Sequence, residues 1–311
     1  MRAVTLESVP STPDVTEVDT PRPEAGELLV KVATASLNGI DIATAAGYTQ
    51  AFMEHRFPLV LGQDFAGTVE ALGEGVEGFA VGDAVFGVVM KPFLGAGSLA
   101  QYVTVPAGLG VARIPAGVTT GDAGALGVAG ATALVSLDAV ALAEGETVLI
   151  SGASGGVGAL AVQLAVARGA TVIATARPGA QTDFVTGLTD AAVHVVDFTG
   201  DLQAQVRVIA PDGVDAVLHL AGDGAALAAL LRPGGQLASA TGLSQDDVKA
   251  HDVTVHTIMN TPDAKILTSL AEQVATGALR VPVTATYPLE QATRAFAAFA
   301  GTPGKITVSC S

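Results

Sequence analysis

Between residues 147 and 168 the chain runs from an apolar segment, Thr147-Val-Leu-Ile-Ser151, through Gly152-Ala-Ser-Gly-Gly-Val-Gly158 into a helix-compatible stretch ending at Arg168. Few folds accommodate that order. Gly152, Gly155 and Gly158 stand in GxxGxxG spacing, with Ala153 at a glycine position of the stricter GxGxxG form. Missing side chains permit a tight turn and close backbone approach, and a helix N-terminus offers N–H groups and a positive dipole end to phosphate. The segment therefore predicts a dinucleotide pyrophosphate site built from Gly152, Ala153, Ser154, Gly155, Gly156, Val157 and Gly158; the plainer alternative is a tight turn with no ligand. A second apolar strand, Thr171-Val-Ile-Ala-Thr175, follows. About 20 residues after the first glycine, where an NAD site places Asp or Glu, the chain reads Thr175-Ala-Arg177. Arginine suits a 2′-phosphate by charge and planar donor geometry, so Thr175 and Arg177 point to NADPH, against the alternative of a solvated surface arginine.

Strand-like runs continue at Ala192–Val196, Ala216–Leu220 and Gln236–Ala240, separated by helical or loop segments, which predicts a doubly wound parallel sheet. The first third differs: Glu27-Leu-Leu-Val-Lys-Val-Ala33 and a dense series of glycines read as a β-rich, barrel-like unit. A helical stretch is expected over Thr119–Ala143, helices over Asp263–Thr276 and Glu290–Phe299, and strands over Pro282–Thr286 and Lys305–Ser309. At 311 residues two domains are the natural expectation, divided by change of pattern at 1–118 with 280–311, and 119–279.

Half the residues are apolar and 14% are charged, which excludes general disorder. The longest apolar runs are too short or too interrupted to span a bilayer, and Met1-Arg-Ala-Val4 enters a strand-like alternation without a signal core, so a cytoplasmic protein is expected. A net charge of −15 with scattered basic residues argues against nucleic acid and anionic membranes as partners. The single cysteine, Cys310, rules out an intramolecular disulfide and any multi-cysteine metal site.

The chain resembles the medium-chain dehydrogenase/reductase superfamily, specifically its zinc-free quinone oxidoreductase, zeta-crystallin-like branch. The resemblance rests on Ser36-Leu-Asn-Gly-Ile-Asp-Ile42, Pro58-Leu-Val-Leu-Gly-Gln-Asp-Phe-Ala-Gly67, Val81-Gly-Asp-Ala-Val-Phe-Gly87, the loop Gly152–Gly158, Arg232-Pro-Gly-Gly235 and Gly304-Lys-Ile306. It implies an α/β fold: a GroES-like β-rich catalytic domain from both chain ends plus an inserted Rossmann domain, with the active site in the cleft between them. Zinc-dependent members of the superfamily carry ligands where this chain has Asn38, Gln63 and Val128, so a metal-free site is implied. His55, beside Glu54, reads as a surface ion-pairing histidine rather than a ligand.

What the resemblance implies chemically is hydride transfer from NADPH to a quinone or an α,β-unsaturated carbonyl compound. Asn38 and Tyr48 are the candidate donors to the developing charge on the carbonyl oxygen, with Asp41 and Gln63 shaping the cleft. Structural alternatives stay open: Asn38 capping a turn, Asp41 beginning a helix, Tyr48 packing on the cofactor. Thr132, Ala221, Thr241 and Gly242 are implied to line the cofactor, Thr132 with helix packing as its alternative. His219 falls at the end of the fourth Rossmann strand, where it reads as a packing or hydrogen-bonding residue rather than an acid. Two other functions compete: an enoyl-thioester reductase of polyketide or fatty-acid type, and a non-catalytic NADPH-binding protein. Finally, Asp252-Val-Thr-Val-His-Thr-Ile-Met259 alternates as a sheet-edge strand, and pairing with its own copy across a two-fold axis predicts a homodimer.

Overall fold

The computed structural model describes residues 1–249, 252–259 and 262–310. Contacts divide the chain into Met1–Ala131 with Thr261–Ser311, and Thr132–Asn260.

The first unit holds β1 (Arg2–Leu6), β2 (Asp14–Glu17), β3 (Glu27–Ser36), α1 (Gly39–Ala45), β4 (Glu54–Val60), β5 (Asp64–Leu72), β6 (Ala84–Val88), β7 (Phe93–Ala96), β8 (Tyr102–Pro106), β9 (Val111–Arg113) and α2 (Thr120–Ala123). Helix α3 (Gly127–Ala139) then carries the chain into the second unit. That unit contains β10 (Thr147–Ile150), α4 (Gly156–Ala167), β11 (Thr171–Thr175), α5 (Ala180–Thr186), β12 (His194–Val196), α6 (Leu202–Ile209), β13 (Val214–His219), α7 (Gly224–Ala228), β14 (Leu231–Ser239) and β15 (Val253–Thr257). The chain returns to the first unit as α8 (Ala264–Ala275), β16 (Val283–Pro288), α9 (Ala292–Ala298) and β17 (Lys305–Ser309).

In the second unit the parallel sheet runs β12-β11-β10-β13-β14-β15, the two-halved order of the Rossmann fold. Its strands are short runs of Val, Ile, Leu and Ala, apolar on both faces because helices cover both. Helix α4 is apolar all round, and accordingly every residue from Gly158 to Ala165 is buried. The core joins Leu149, Ile173, Val196, Val217 and Leu237 across five strands.

The first unit is built on a seven-stranded sheet in which β16, β17, β3, β5, β6 and β9 are successive neighbours and β8 also pairs with β3. A second sheet, β2-β1-β4-β7, joins Thr5 to Val60 and His55 to Leu94. Phe65 is fully buried on β5 and Phe86 on β6, each contributing roughly 1.5–3 kcal/mol of burial free energy. Asp263 caps α8 by accepting the Ile266 N–H, and Leu267, Leu270 and Ala271 form its buried stripe.

Two expected helices differ. The stretch Thr119–Ala143 is not continuous: α2 ends at Ala123 with Gly124 as its C-cap, and α3 begins at Gly127. Gly124 is pressed so closely on Thr34 that a side-chain carbon there would lie 2.8 Å from the Thr34 carbonyl oxygen, and the Val128 N–H turns to Asp64 instead of continuing the first helix. Likewise Glu290–Phe299 is a short 3₁₀ turn over Leu289–Gln291, then α9, then another turn over Phe299–Gly301.

Candidate functional site

In the second unit, the glycine loop is tied down before it meets any ligand. The Ser151 hydroxyl donates to Leu218 O (3.1 Å) and accepts from Leu220 and Ala221 N–H (3.0 and 3.3 Å), stapling the carboxyl ends of β10 and β13. Gly152 N–H donates to Thr175 Oγ1 (3.0 Å), linking the loop to the end of β11. Gly152 adopts φ 68°, and a side-chain carbon on Gly158 would fall 2.3 Å from Gly152 O, so neither position accepts a side chain without shifting backbone. Gly155 is the N-cap of α4 and no side chain among the described residues caps that end, which leaves first-turn N–H groups to an anion. A dinucleotide pyrophosphate fits these donors.

Beyond β11, Arg177 is exposed, with its guanidinium 5.4 Å from the centre of the Phe198 ring. Its N–H donates to Gln181 Oε1 (3.0 Å). Nearby, the Asp197 carboxyl is held below its usual range chiefly by the Thr199 hydroxyl and N–H, with Arg177 adding to the effect. At the end of β13, His219 is 4% exposed and uses both ring nitrogens. Nε2 lies 3.1 Å from Gly222 O, which can only accept, so Nε2 carries the hydrogen and Nδ1 accepts from the Ser239 or Thr241 hydroxyl, each at 3.1 Å. Ala221 is exposed beside Gly152, Thr241 and Gly242 are exposed after β14, and Thr132 is buried on α3.

The first unit holds a buried polar cluster. Asn38 is the N-cap of α1, and Asp41, three residues on, accepts from Asn38 N–H (2.8 Å) and Gly62 N–H (3.0 Å). The Asn38 amide is engaged at both ends: Oδ1 accepts from Lys305 Nζ (2.7 Å), and Nδ2 donates to Asp64 Oδ2 (2.9 Å) and Ser36 O (3.4 Å). Asp64 also accepts from Ser36 Oγ (2.6 Å), Lys305 Nζ (3.4 Å) and, on Oδ1, Val128 N–H (2.7 Å). Lys305 gives a further bond to Leu37 O (3.1 Å), and Ser98 Oγ reaches Asp64 O (2.6 Å). Burial pushes the Asp41 carboxyl up to about 7, with the Asp64 charge adding and the Asn38 N–H and Lys305 opposing. Burial also pulls the Lys305 ammonium down, against Asp64.

Of the candidates in this unit, the fold thus joins Asn38 and Asp41 around Gly62, Asp64 and Lys305. Gln63 is half-buried next to Asp64, with its carbonyl accepting from Val89 N–H (2.8 Å). Tyr48 stands apart, 73% exposed, near Phe52 in sequence, itself 74% exposed. His55 is not the expected ion-pairing residue: Glu54 pairs with Arg56, while His55 Nε2 meets Thr49 Oγ1 (2.9 Å) and its ring lies edge-on to Phe57. Among the described residues, no cluster of three or more His, Cys, Asp or Glu side chains is placed to hold a metal. Lys305, Asp64 and Ser151 escaped the sequence-based candidate set. A lysine heading the apolar strand Ile306-Thr-Val308, and an aspartate inside Leu61–Gly67, were the available signals.

A β-rich unit of this topology joined to a Rossmann sheet with an open glycine cradle defines a dinucleotide-binding protein of the alcohol dehydrogenase type. Residues 24–116 match the alcohol dehydrogenase GroES-like domain, and residues 191–308 match the zinc-binding dehydrogenase family. The chain belongs to the medium-chain dehydrogenase/reductase family. It is 36% identical over 212 residues to a chloroplast envelope quinone oxidoreductase homolog of Arabidopsis thaliana, a match covering 66% of this chain and 62% of that protein. The match thus spans less than two thirds of that relative's length. Among solved structures, a quinone oxidoreductase from Coxiella burnetii superposes with TM-score 0.88 at 26% identity, covering 99% of both chains. A mycobacterial protein complexed with NADPH gives TM-score 0.88 at 27% identity, covering 99% of this chain and 100% of that one.

Proposed function

We infer that this chain is an NADPH-dependent oxidoreductase that delivers a hydride to a quinone or an α,β-unsaturated carbonyl compound without a metal, acting in the cytoplasm as a homodimer. The observation that carries this reading is the glycine cradle at the start of α4, beside a β11 followed two residues on by Arg177 rather than an acid. The named relatives, a quinone oxidoreductase homolog and an NADPH-bound protein, support it.

Gly152–Gly158 would hold the pyrophosphate and Arg177, backed by Phe198, the 2′-phosphate, while Thr132, His219, Ala221, Thr241 and Gly242 would border the nicotinamide. NADPH when bound supplies the hydride. The chain's own residues orient the acceptor and stabilise the charge that develops on its oxygen. Because both ends of the Asn38 amide are engaged inside the cluster, the accessible Tyr48 hydroxyl is the better donor to that oxygen. Asn38, Asp41 and Gln63 then act by fixing the floor on which the acceptor lies. A quinone or enone already carries positive character on the accepting carbon, so it needs less polarisation than a simple ketone.

NADPH is expected to bind more tightly than NADH, and Arg177→Ala to narrow the gap by weakening NADPH alone by about 1–3 kcal/mol, the range for hydrogen bonds to charged groups. Fluorescence titration with both nucleotides checks this; equal curves for the parent protein would defeat it. Exhaustive chelation is expected to leave turnover unchanged, since the Asn38 amide is committed to Lys305 and Asp64 and the Val128 side chain carries no ligating atom. Stoichiometric zinc in elemental analysis, lost together with activity, overturns the metal-free reading. A rate panel of quinones, enones and enoyl thioesters fixes the acceptor class, and the absence of NADPH oxidation with every member would favour a non-catalytic role.

A further inference from the structure

Among the described residues, strand β15 ends the six-stranded sheet and pairs with no strand other than β14. Its register runs from Gly235 opposite Val253 to Ser239 opposite Thr257. Gly234 N–H reaches Asp252 O and Ile258 N–H reaches Ser239 O, both at 2.8 Å, so the even-numbered residues direct their main-chain groups toward β14. Val253, Val255 and Thr257 therefore turn theirs outward, the arrangement that invites another strand.

A side chain already occupies part of that edge. Gln245 Nε2 donates to Val253 O (3.1 Å), and Gln245 Oε1 accepts from Val255 N–H (2.9 Å). One planar amide taking the C=O of one residue and the N–H two residues on reproduces the bonds of a parallel neighbour strand. The amide reaches out from an anchored turn: Ser244 N–H and Oγ both donate to Asp247 Oδ2 (2.8 and 2.7 Å), and Val248 is packed into the core. Thr257 Oγ1 donates to Leu243 O (2.9 Å), fastening the same segment to the far end of β15. Apolar side chains flank the edge, Val253, Val255 and Ile258 half-buried and Met259 85% exposed.

We propose that Gln245 is a built-in occupant of the β15 edge that competes with a second copy of this chain, so that self-association through β15 requires release of the Gln245 amide. This rests on the dimer reading above. A second copy is the occupant because the outward groups of Val253, Val255 and Thr257 recur at alternate residues, so two copies of β15 laid antiparallel about a two-fold axis satisfy one another, and that ladder needs the Val255 N–H that Gln245 holds. Gln245 itself is exposed, so Gln245→Ala leaves the Ser244–Asp247 turn and the β14 ladder in place.

Sedimentation velocity over a concentration series, on the parent, Gln245→Ala and Val255→Pro, tests the proposal together with amide exchange on dilute protein. Gln245→Ala is expected to associate roughly tenfold more tightly than the parent, equivalent to about 1.4 kcal/mol. Val255→Pro, which lacks the outward N–H, is expected to associate less than either. At dilutions where the chain is single, the Val255 amide should exchange slowly in the parent and rapidly in Gln245→Ala. A dimer that Val255→Pro disrupts and Gln245→Ala leaves unchanged keeps the dimer reading and overturns the role of Gln245. Parent and Gln245→Ala both single at every concentration overturn both, and fast Val255 exchange in the dilute parent overturns the proposal alone.

Discussion

Lys305→Met is expected to cost about 3–5 kcal/mol of folding stability, the range for removing one partner of a buried ion pair. Lys305 is 3% exposed, and its ammonium is shared among Asp64 Oδ2, Asn38 Oδ1 and Leu37 O. Without it, the fully buried Asp64 carboxyl has no cation beside it, and Asn38 Oδ1 and Leu37 O lose their donor. Water does not replace what is lost at such a depth. The double variant Lys305→Met with Asp64→Asn should recover a substantial part, because it removes the charge along with its partner and leaves an amide able to receive the Val128 N–H. Urea denaturation of the parent, both single variants and the double variant measures the cycle. A loss below about 1 kcal/mol in Lys305→Met, typical of exposed pairs, would show that the cluster does not hold the first unit together.

The second large effect belongs to Asp41 and carries a definite sign. Its folded value, about 7, lies above the model-peptide value of 3.8, so the folded chain binds this proton more tightly than the unfolded one does. The contribution to stability is therefore fully present below pH 3.8 and is lost as pH rises to about 7, after which it is flat. At about 1.36 kcal/mol for each pH unit, the loss across that window is on the order of 4 kcal/mol. The causes act in that sense: burial and Asp64 favour the protonated form, opposed by the Asn38 and Gly62 N–H groups and by Lys305. Asp41→Asn should flatten the parent's profile between pH 4 and 7 while costing one backbone hydrogen bond at every pH. The slope difference between the two proteins is the readout, since carboxyls such as the half-buried Asp83 and the exposed Asp247, held low by their own bonds, contribute equally to both. Parallel profiles would sink the assignment.

How these effects stand to the sequence follows from how far apart the partners lie. Lys305 and Asp64 are 241 residues apart, and Asn38 and Lys305 are 267 apart. No local period encodes such a meeting. By contrast, the glycine loop Gly152–Gly158 lies within seven consecutive residues between the end of β10 and the first turn of α4, so its conformation can be read from the local sequence.

The sequence alone determined whatever one element's own residues decide. Thr147–Ile150 and Thr171–Thr175 are strands because β-branched apolar runs pack from both faces, Asp263 begins α8 because its carboxylate caps the next turn, and Lys305–Ser309 lies where its alternation placed it. The position of residues 253–257 at the sheet edge was equally legible, from their place after the last Rossmann strand. Tertiary structure decided the rest. It broke the stretch expected to be helical from Thr119 to Ala143, because Gly124 is wedged against Thr34 and Asp64 takes the Val128 N–H. It withdrew the Asn38 amide into a salt-bridged cluster, and it set Gln245 on an edge that the strand's own sequence leaves open. Local propensity is fixed by neighbours in the chain, whereas a buried polar group takes its partner from whatever distant donor the packed core brings within reach, as Asp64 takes Lys305.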